Sequence, residues 1–277
     1  MLRLSTFCLS LLFLASCTEK HNWYQKEFSA EEKPALAESV RNGVSYHYQG
    51  TVPEQFHALE ALALDSSNGD FWREMGTSRV KRSLADEMYY WYGKAAELKP
   101  DPWMGFRGYL YLYFYRDYPR AIADFDQMDS IIGSIGNSQA QDHDYMRGIA
   151  YYGLNDYQNS KDYLRKYIER ISTEVGAEWV DVYAHLYLFF CHKALGEEMA
   201  MQNELNAIFA LYPDLADAHY QQALIYHQKN QLKAARESLE KARASYDLGF
   251  YHQRPYVEVL EQIYPQDLDA LASLLTQ

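Results

Sequence analysis

The 277-residue chain predicts an all-α solenoid built from helix-turn-helix repeats. Three observations carry that expectation. One residue frame recurs along most of the chain, small residues hold fixed places within each copy, and prolines stand where one helix must stop and the next begin. The clearest copy reads Asp217-Ala218-His219-Tyr220-Gln221-Gln222-Ala223-Leu224-Ile225-Tyr226, then Leu232, Ala235, Leu239 and Ala242. One copy earlier, the frame gives His185, Leu188, Phe189, His192, Gly196, Met201, Leu205 and Ile208, ending at Pro213. Apolar residues spaced by three and four, as in Ala235, Leu239 and Ala242, give each second helix one stripe to bury.

Residues 1–16 read as a cleaved leader, with Arg3 followed by an apolar run from Leu4 to Leu14 that is too short to span a bilayer. Residues 17–34 are largely polar and read as a tether. The array occupies residues 35–244, five repeats preceded by a degenerate sixth whose only convincing part is Ala61-Leu62-Ala63-Leu64-Asp65. The copy from Phe71 to Asp101 carries Trp72, Met75, Gly76, Met88, Tyr92, Ala95, Leu98 and Pro100. The next, from Trp103 to Ser130, has Asp117-Tyr118, Ala121-Ile122 and Phe125 in place, but its first half is off by about one residue. From Asp142 to Glu169 the frame shows Gly148, Tyr151, Asn155-Asp156-Tyr157 and Ser160. Ile132 to Ser138 and Ser172 to Gly176 are turn-rich and read as longer inter-repeat loops. Residues 245–277 read as capping helices, Tyr256 to Ile263 and Leu268 to Leu275, covering the last repeat's open face.

Two resemblances follow from these residues. Leu14-Ala15-Ser16-Cys17 resembles the lipobox of bacterial lipoproteins. It implies that Cys17 is acylated, becomes the first mature residue, and tethers the protein to the cell envelope, at the outer membrane. The repeat frame resembles the tetratricopeptide repeat, which implies a right-handed superhelix without β-sheet whose first helices line a concave groove. On that frame Tyr145, Met146, Tyr152, Tyr183, Tyr187, Phe190, Tyr220, Gln221 and His227 face the groove. The off-register copy adds Trp103, Phe106, Arg107, Tyr113 and Phe114 in one alignment, or Tyr111 and Tyr115 in the other. Tyrosine is the compositional outlier, at 26 residues, and a Tyr-lined trough offers large contact area with polar tips. Tyr145, Tyr152, Tyr183, Tyr187, Phe190, Tyr220 and His227 are therefore the candidate partner-binding residues, each expected to expose part of its ring.

Composition narrows the function. Net charge is −12, and −13 once Arg3 leaves with the leader. With no basic block, nucleic acid and electrostatic docking on anionic lipid are disfavoured, and a neutral or mildly basic partner fits better. Of three cysteines, Cys8 leaves with the leader and Cys17 takes lipid, so Cys191 stands alone and no internal disulfide forms. His185 and His192 fall on buried slots of the frame; His219 and His227 lack a nearby acidic residue at zinc spacing. Asp142-His143-Asp144 suits a helix start. No phosphate loop, nucleophile elbow or zinc-protease helix is present, so no enzyme, metal or cofactor is expected. The reading is a lipid-anchored scaffold that captures a protein or peptide. A glycan-binding accessory lipoprotein, or an assembly lipoprotein for outer-membrane β-barrels or secretins, is the alternative. Replacing Cys17 with serine should release the protein from membranes, checked by fractionation and by sequencing the mature N-terminus.

Overall fold

In the computed structural model, residues 28–44, 47–82 and 84–276 are described. Cys17, the leader and residues 17–27 of the expected tether lie outside them, and the last residues of that tether, from Glu32, already belong to the first helix. The described residues form thirteen α-helices. Twelve pair antiparallel in sequence order: α1 Glu32–Val44 with α2 Val52–Leu64, α3 Gly69–Lys81 with α4 Ala85–Leu98, and α5 Pro100–Leu110 with α6 Tyr118–Ile132. They continue as α7 His143–Gly153 with α8 Tyr157–Glu174, α9 Val182–Leu195 with α10 Glu198–Leu211, and α11 Ala216–Gln228 with α12 Leu232–Asp247. A final helix, α13 Pro265–Leu275, packs on α12. Each pair also packs against the next, giving a stacked all-α solenoid.

Local chemistry sets the helix ends. Asn68, Asp142 and Asp181 accept hydrogen bonds from the first-turn amides of α3, α7 and α9, the capping expected of short acceptor side chains. Pro100, Pro119 and Pro265 sit in first turns, where no amide donor is lost. Within the last four pairs the reversal uses one left-handed residue each: Arg116, Asn155, Gly196 and Asn230, with φ of 52, 60, 72 and 55°. No described helix is long and apolar enough to cross a membrane.

Small residues make the close crossings. A Cβ on Gly76 would lie 2.6 Å from the Tyr92 ring, and one on Gly148 would lie 2.5 Å from Leu164. Ala223, Ala235 and Ala242 are fully buried where α11 meets α12. A core cluster runs from Met88 to Ile225 through α4–α11, with smaller ones at each end.

The structure departs from the sequence reading in four places. First, α5 ends in a π-helical turn, Tyr111–Tyr115, and such a turn accommodates one extra residue. That is why the frame of this copy slips by one. Second, the insertion after α6 contains a minimal β-hairpin, β1 Asn137–Ser138 with β2 Gln141–Asp142, turned by Gln139 and Ala140 at φ 52 and 58°. The expectation of no β-structure is corrected to that extent. Third, Ser172 to Glu174 prolong α8 by a turn before a 3-10 turn at Ala177–Trp179. Fourth, Tyr256 to Ile263 is not a helix. Residues 248–264 instead form an irregular segment whose tip is a tight turn closed by an Arg254–Val257 bridge.

Gly76→Ala and Gly148→Ala should each cost about 1–3 kcal/mol through overpacking. Gly93→Ala, in a helix and with nothing within 4 Å of the added carbon, should gain about 0.5–1 kcal/mol. Urea denaturation of the three variants tests this contrast.

Candidate functional site

The first helices α5, α7 and α9 carry the expected aromatic row, and the structure brings most of it together. Tyr187 lies 5.6 Å from Tyr152, and Phe190 lies within 6.4 Å of both. Their exposure is not as expected. Tyr145 is 1% exposed and Tyr187 0%, and Phe190 is also buried, whereas Tyr152 and Tyr183 are half-buried. Tyr220 packs in the separate cluster around α13. His227 is half-buried near the end of α11, and no hydrogen bond or ring contact among the described residues links it to the row.

What covers the row is the chain itself. From Gly249, at φ +85°, residues 249–263 turn back into the groove as a plug. The carbonyl of Phe250 accepts the Ala216 amide at 2.8 Å, where α11 starts. His252 is buried; its ring stacks on Tyr183 at 3.9 Å and meets Tyr187 edge-on at 5.6 Å. Its amide donates to the buried Asp217 carboxylate at 2.8 Å. Farther along, the Arg254 guanidinium lies 4.7 Å from the Tyr113 ring and 5.3 Å from that of Tyr109. The segment then returns. Glu258 receives Arg116 at 2.9 Å, the Leu260 carbonyl receives the Tyr187 hydroxyl at 3.4 Å, and Glu261 receives the Tyr152 hydroxyl at 2.6 Å. Val259 and Ile263 are buried.

The plug stops short of α3. Between its tip and α3 a cleft of about 630 Å³ opens, lined by Val80, Lys81, Phe114, Arg116 and Tyr256. A second recess of about 300 Å³ shares part of this lining and reaches Tyr109 and Arg254. Tyr256, at the tip, is 76% exposed. Of the two alignments left open for α5, Tyr113 and Phe114 meet the plug and cleft, while Tyr111 and Tyr115 pack around Tyr89. Arg107 and Trp103 serve elsewhere, in an ion pair with Asp124 at 2.7 Å and a cation–π contact with Arg73.

Burial shifts the ionisable groups of this face. Asp217 is pushed up to about 6, and Asp181 is raised as well, because each carboxylate has left water. His252 is lowered to about 3, chiefly by burial and then by the Arg254 charge, so its imidazole is neutral at pH 7.

The remaining polar candidates are explained by packing. Asp142 caps α7. His192 is buried and pairs with Glu197, while His185 pairs with Glu204 at 2.7 Å. Cys191 is buried beside the Ser160 hydroxyl, with its thiol pushed up to about 11, the condition of an inert packing residue. No group of histidine, cysteine or acidic residues able to hold a metal occurs among the described residues.

One arrangement that sequence reasoning missed has the order of a hydrolytic triad. Asp129 meets His143 Nδ1 at 2.5 Å, and His143 Nε2 meets the Ser138 hydroxyl at 3.0 Å. These residues come from α6, the hairpin and α7, so spacing alone could not reveal them. The geometry is that of a staple and not of a nucleophile. His143 is fully buried beneath Phe125, and the Ser138 hydroxyl is pressed against α5, where a Cβ on Gly105 would collide with it. An acyl group has no approach to that oxygen.

Comparisons with known proteins agree with this architecture. A family model of the tetratricopeptide repeat matches residues 145–173 and 216–242, which are α7–α8 and α11–α12. Among solved structures, PilW, described as a widely conserved type IV pilus biogenesis factor, is 14% identical with a TM-score of 0.57, over 88% of this chain and 98% of that one. PilF from Pseudomonas aeruginosa is 11% identical with a TM-score of 0.54, over 79% and 92%. BtubC from P. vanneervenii is 12% identical with a TM-score of 0.55, over 86% and 99%. No curated protein sequence matches significantly. At these identities the structural likeness is one of fold, and the chain is an all-α solenoid in which two helix pairs match the tetratricopeptide-repeat model.

A buried carboxylate with a raised pKa penalises folding while it is ionised. That cost is present above about pH 6, shrinks as the pH falls through the folded value, and vanishes below the unfolded one near 3.8. Relative to Asp217→Asn, the native protein should therefore gain on the order of 2–3 kcal/mol between pH 8 and pH 4. Paired urea titrations at both pH values measure the difference.

Proposed function

We propose that this protein is a binding scaffold of the cell envelope that captures an extended polypeptide segment in its concave groove. One observation carries the reading: the aromatic wall of that groove already grips a non-helical, folded-back segment, residues 249–263, by ring stacking on His252 and main-chain bonds at Phe250, His252 and Leu260. Such contacts are how a groove holds peptide, with rigid tyrosine rings supplying area and their hydroxyls supplying polarity. Tyr152, Tyr183, Tyr187 and Phe190 form the wall in this reading, with Tyr145 supporting it from behind, and the open cleft beside Lys81 and Phe114 is the part a partner meets first. Tyr220 and His227 would contribute only at the α11 end.

Anchoring through an acylated Cys17 places the groove at a membrane surface, in keeping with the lipobox resemblance and with the absence of a spanning helix among the described residues. The outer membrane is the expected location. One structure of the same fold, PilW, is described as a type IV pilus biogenesis factor, which favours an assembly role over glycan binding as the first to test. No chemical step is assigned.

Phe114→Ala and Lys81→Ala should each weaken partner capture by about 1–2 kcal/mol, since they remove a half-buried ring and an exposed cation that line the cleft. Tyr187→Ala should cost mainly folding stability, about 3 kcal/mol or more for a fully buried ring. The measurement is quantitative pull-down from detergent-solubilised envelope alongside thermal unfolding. Unchanged capture by both cleft variants would remove the cleft from the binding site.

A further inference from the structure

The plug and the wall it covers fit each other unevenly. Val259 and Ile263 are buried, yet the polar atoms where plug and wall meet are poorly matched. Asp217 Oδ1, the Tyr145 hydroxyl, Gln141 Oε1 and Arg254 Nε are all buried with no hydrogen-bond partner. Asp217 and Tyr145 are each 1% exposed, and burying such atoms unpaired is costly. The four lie along one path: Asp217 under His252, Tyr145 within electrostatic reach of Arg254 and Tyr113, and Gln141 beside Tyr113.

The plug is also held in an unfavourable shape. Tyr256 and Glu261 have φ of 70 and 59°, a region that side chains other than glycine rarely enter. Two of its polar contacts, Arg116–Glu258 and Tyr152–Glu261, are at the exposed rim, where such bonds contribute little. Meanwhile α13 is secured independently, by Leu268, Leu271 and Leu275 packing with Ala223 and Leu239. The plug can therefore leave while the helix after it stays docked.

Charge indicates what would replace it. The wall presents the half-buried Asp181 and the buried Asp217 in a chain of net charge −12. His252 reaches Asp217 only through its backbone amide, and Arg254, whose charge acts on Asp181, bonds the Tyr109 hydroxyl and enters no ion pair among the described residues. A guest bearing a ring and a better-placed cation would satisfy this wall more fully than the plug does.

We infer that residues 249–263 are a resident stand-in for the groove's guest, displaced when a basic, ring-bearing extended segment of a partner protein binds. The inference rests on the scaffold reading above and adds to it the guest's chemistry and a closed resting state. The displaced loop has Gly249 as one hinge and Gln262 to Tyr264 as the other.

Native-state hydrogen exchange on the intact protein provides the first test. The amides of His252 and Ala216, which bond across the plug, should open at least ten-fold more readily than mid-helix amides of α9 and α11. Equal protection, lost only on global unfolding, overturns the inference. For the second test, the probe is a labelled peptide with the sequence of residues 249–264. It should bind a His252→Ala/Val259→Ala variant at least ten-fold more tightly than the native chain, whose own plug competes. Replacing the peptide's arginine with alanine should lower affinity at least five-fold. Equal affinity for the native chain and the variant, or indifference to the arginine, also overturns it. If the variant does not fold, the exchange experiment still decides. A plug that never opens, alongside partner capture that still depends on Phe114 and Lys81, would reject displacement and leave the scaffold reading standing.

Discussion

An aromatic wall on the inside of a solenoid has to be covered. Stacked helix pairs bury the faces they turn toward their neighbours, but the concave side has no neighbour. Here that side carries Tyr109, Tyr113, Tyr152, Tyr183 and Tyr187, rings that would form a contiguous apolar patch if left in water. Much of what is unusual in the molecule follows from this constraint. The helical array gives way to irregular chain after α12, the segment turns back across three repeats, and a histidine and a carboxylate are buried where they meet. Stability has been traded for coverage, as the neutral His252 and the raised Asp217 record.

The aromatic wall in turn depends on how closely the two helices of each pair approach. Gly76 and Gly148 let the second helix lie against the first with a ring or a leucine filling the gap. Between the third and fourth repeats the approach is reinforced by charge. Arg147, almost fully buried, bonds Asp126, Asp129 and Asp144 at 2.7–3.1 Å, and Asp129 also orients His143. Buried charges are tolerable only when each is met by a partner, and here the partners come from two helices that the hairpin insertion holds in place.

The repeat beat was legible because it depends on local rules. Side-chain volume at a crossing and proline at a helix start are properties of a few neighbouring residues, so Gly76, Ala223 and Pro100 could be placed directly. The slipped copy was legible as an anomaly, and the π-turn at Tyr111–Tyr115 is its cause. The groove row was half-legible: the frame put Tyr152, Tyr183 and Tyr187 on one surface but said nothing of what lies over them. The spacing of apolar residues in Tyr256–Ile263 suits a helix as well as a folded-back loop, and the choice between them is made by Tyr183, Tyr187 and Asp217, far away in sequence. Two local signals do point the right way. Gly249 and Pro255 interrupt the segment, and no residue before Tyr256 is a good N-cap.

The reach of the plug changes how such a molecule comes apart. A plain repeat array is nearly one-dimensional: each unit touches only the next, and its ends fray while the middle persists. In this chain Arg116 meets Glu258 and Tyr109 meets Arg254, partners more than 140 positions apart. Those contacts tie the third through sixth repeats into one loop-closed body, which raises the contact order and slows folding relative to an array of the same length. The α1–α4 pairs lie outside that loop and join it through α4, whose Met88 and Tyr92 belong to the same core cluster.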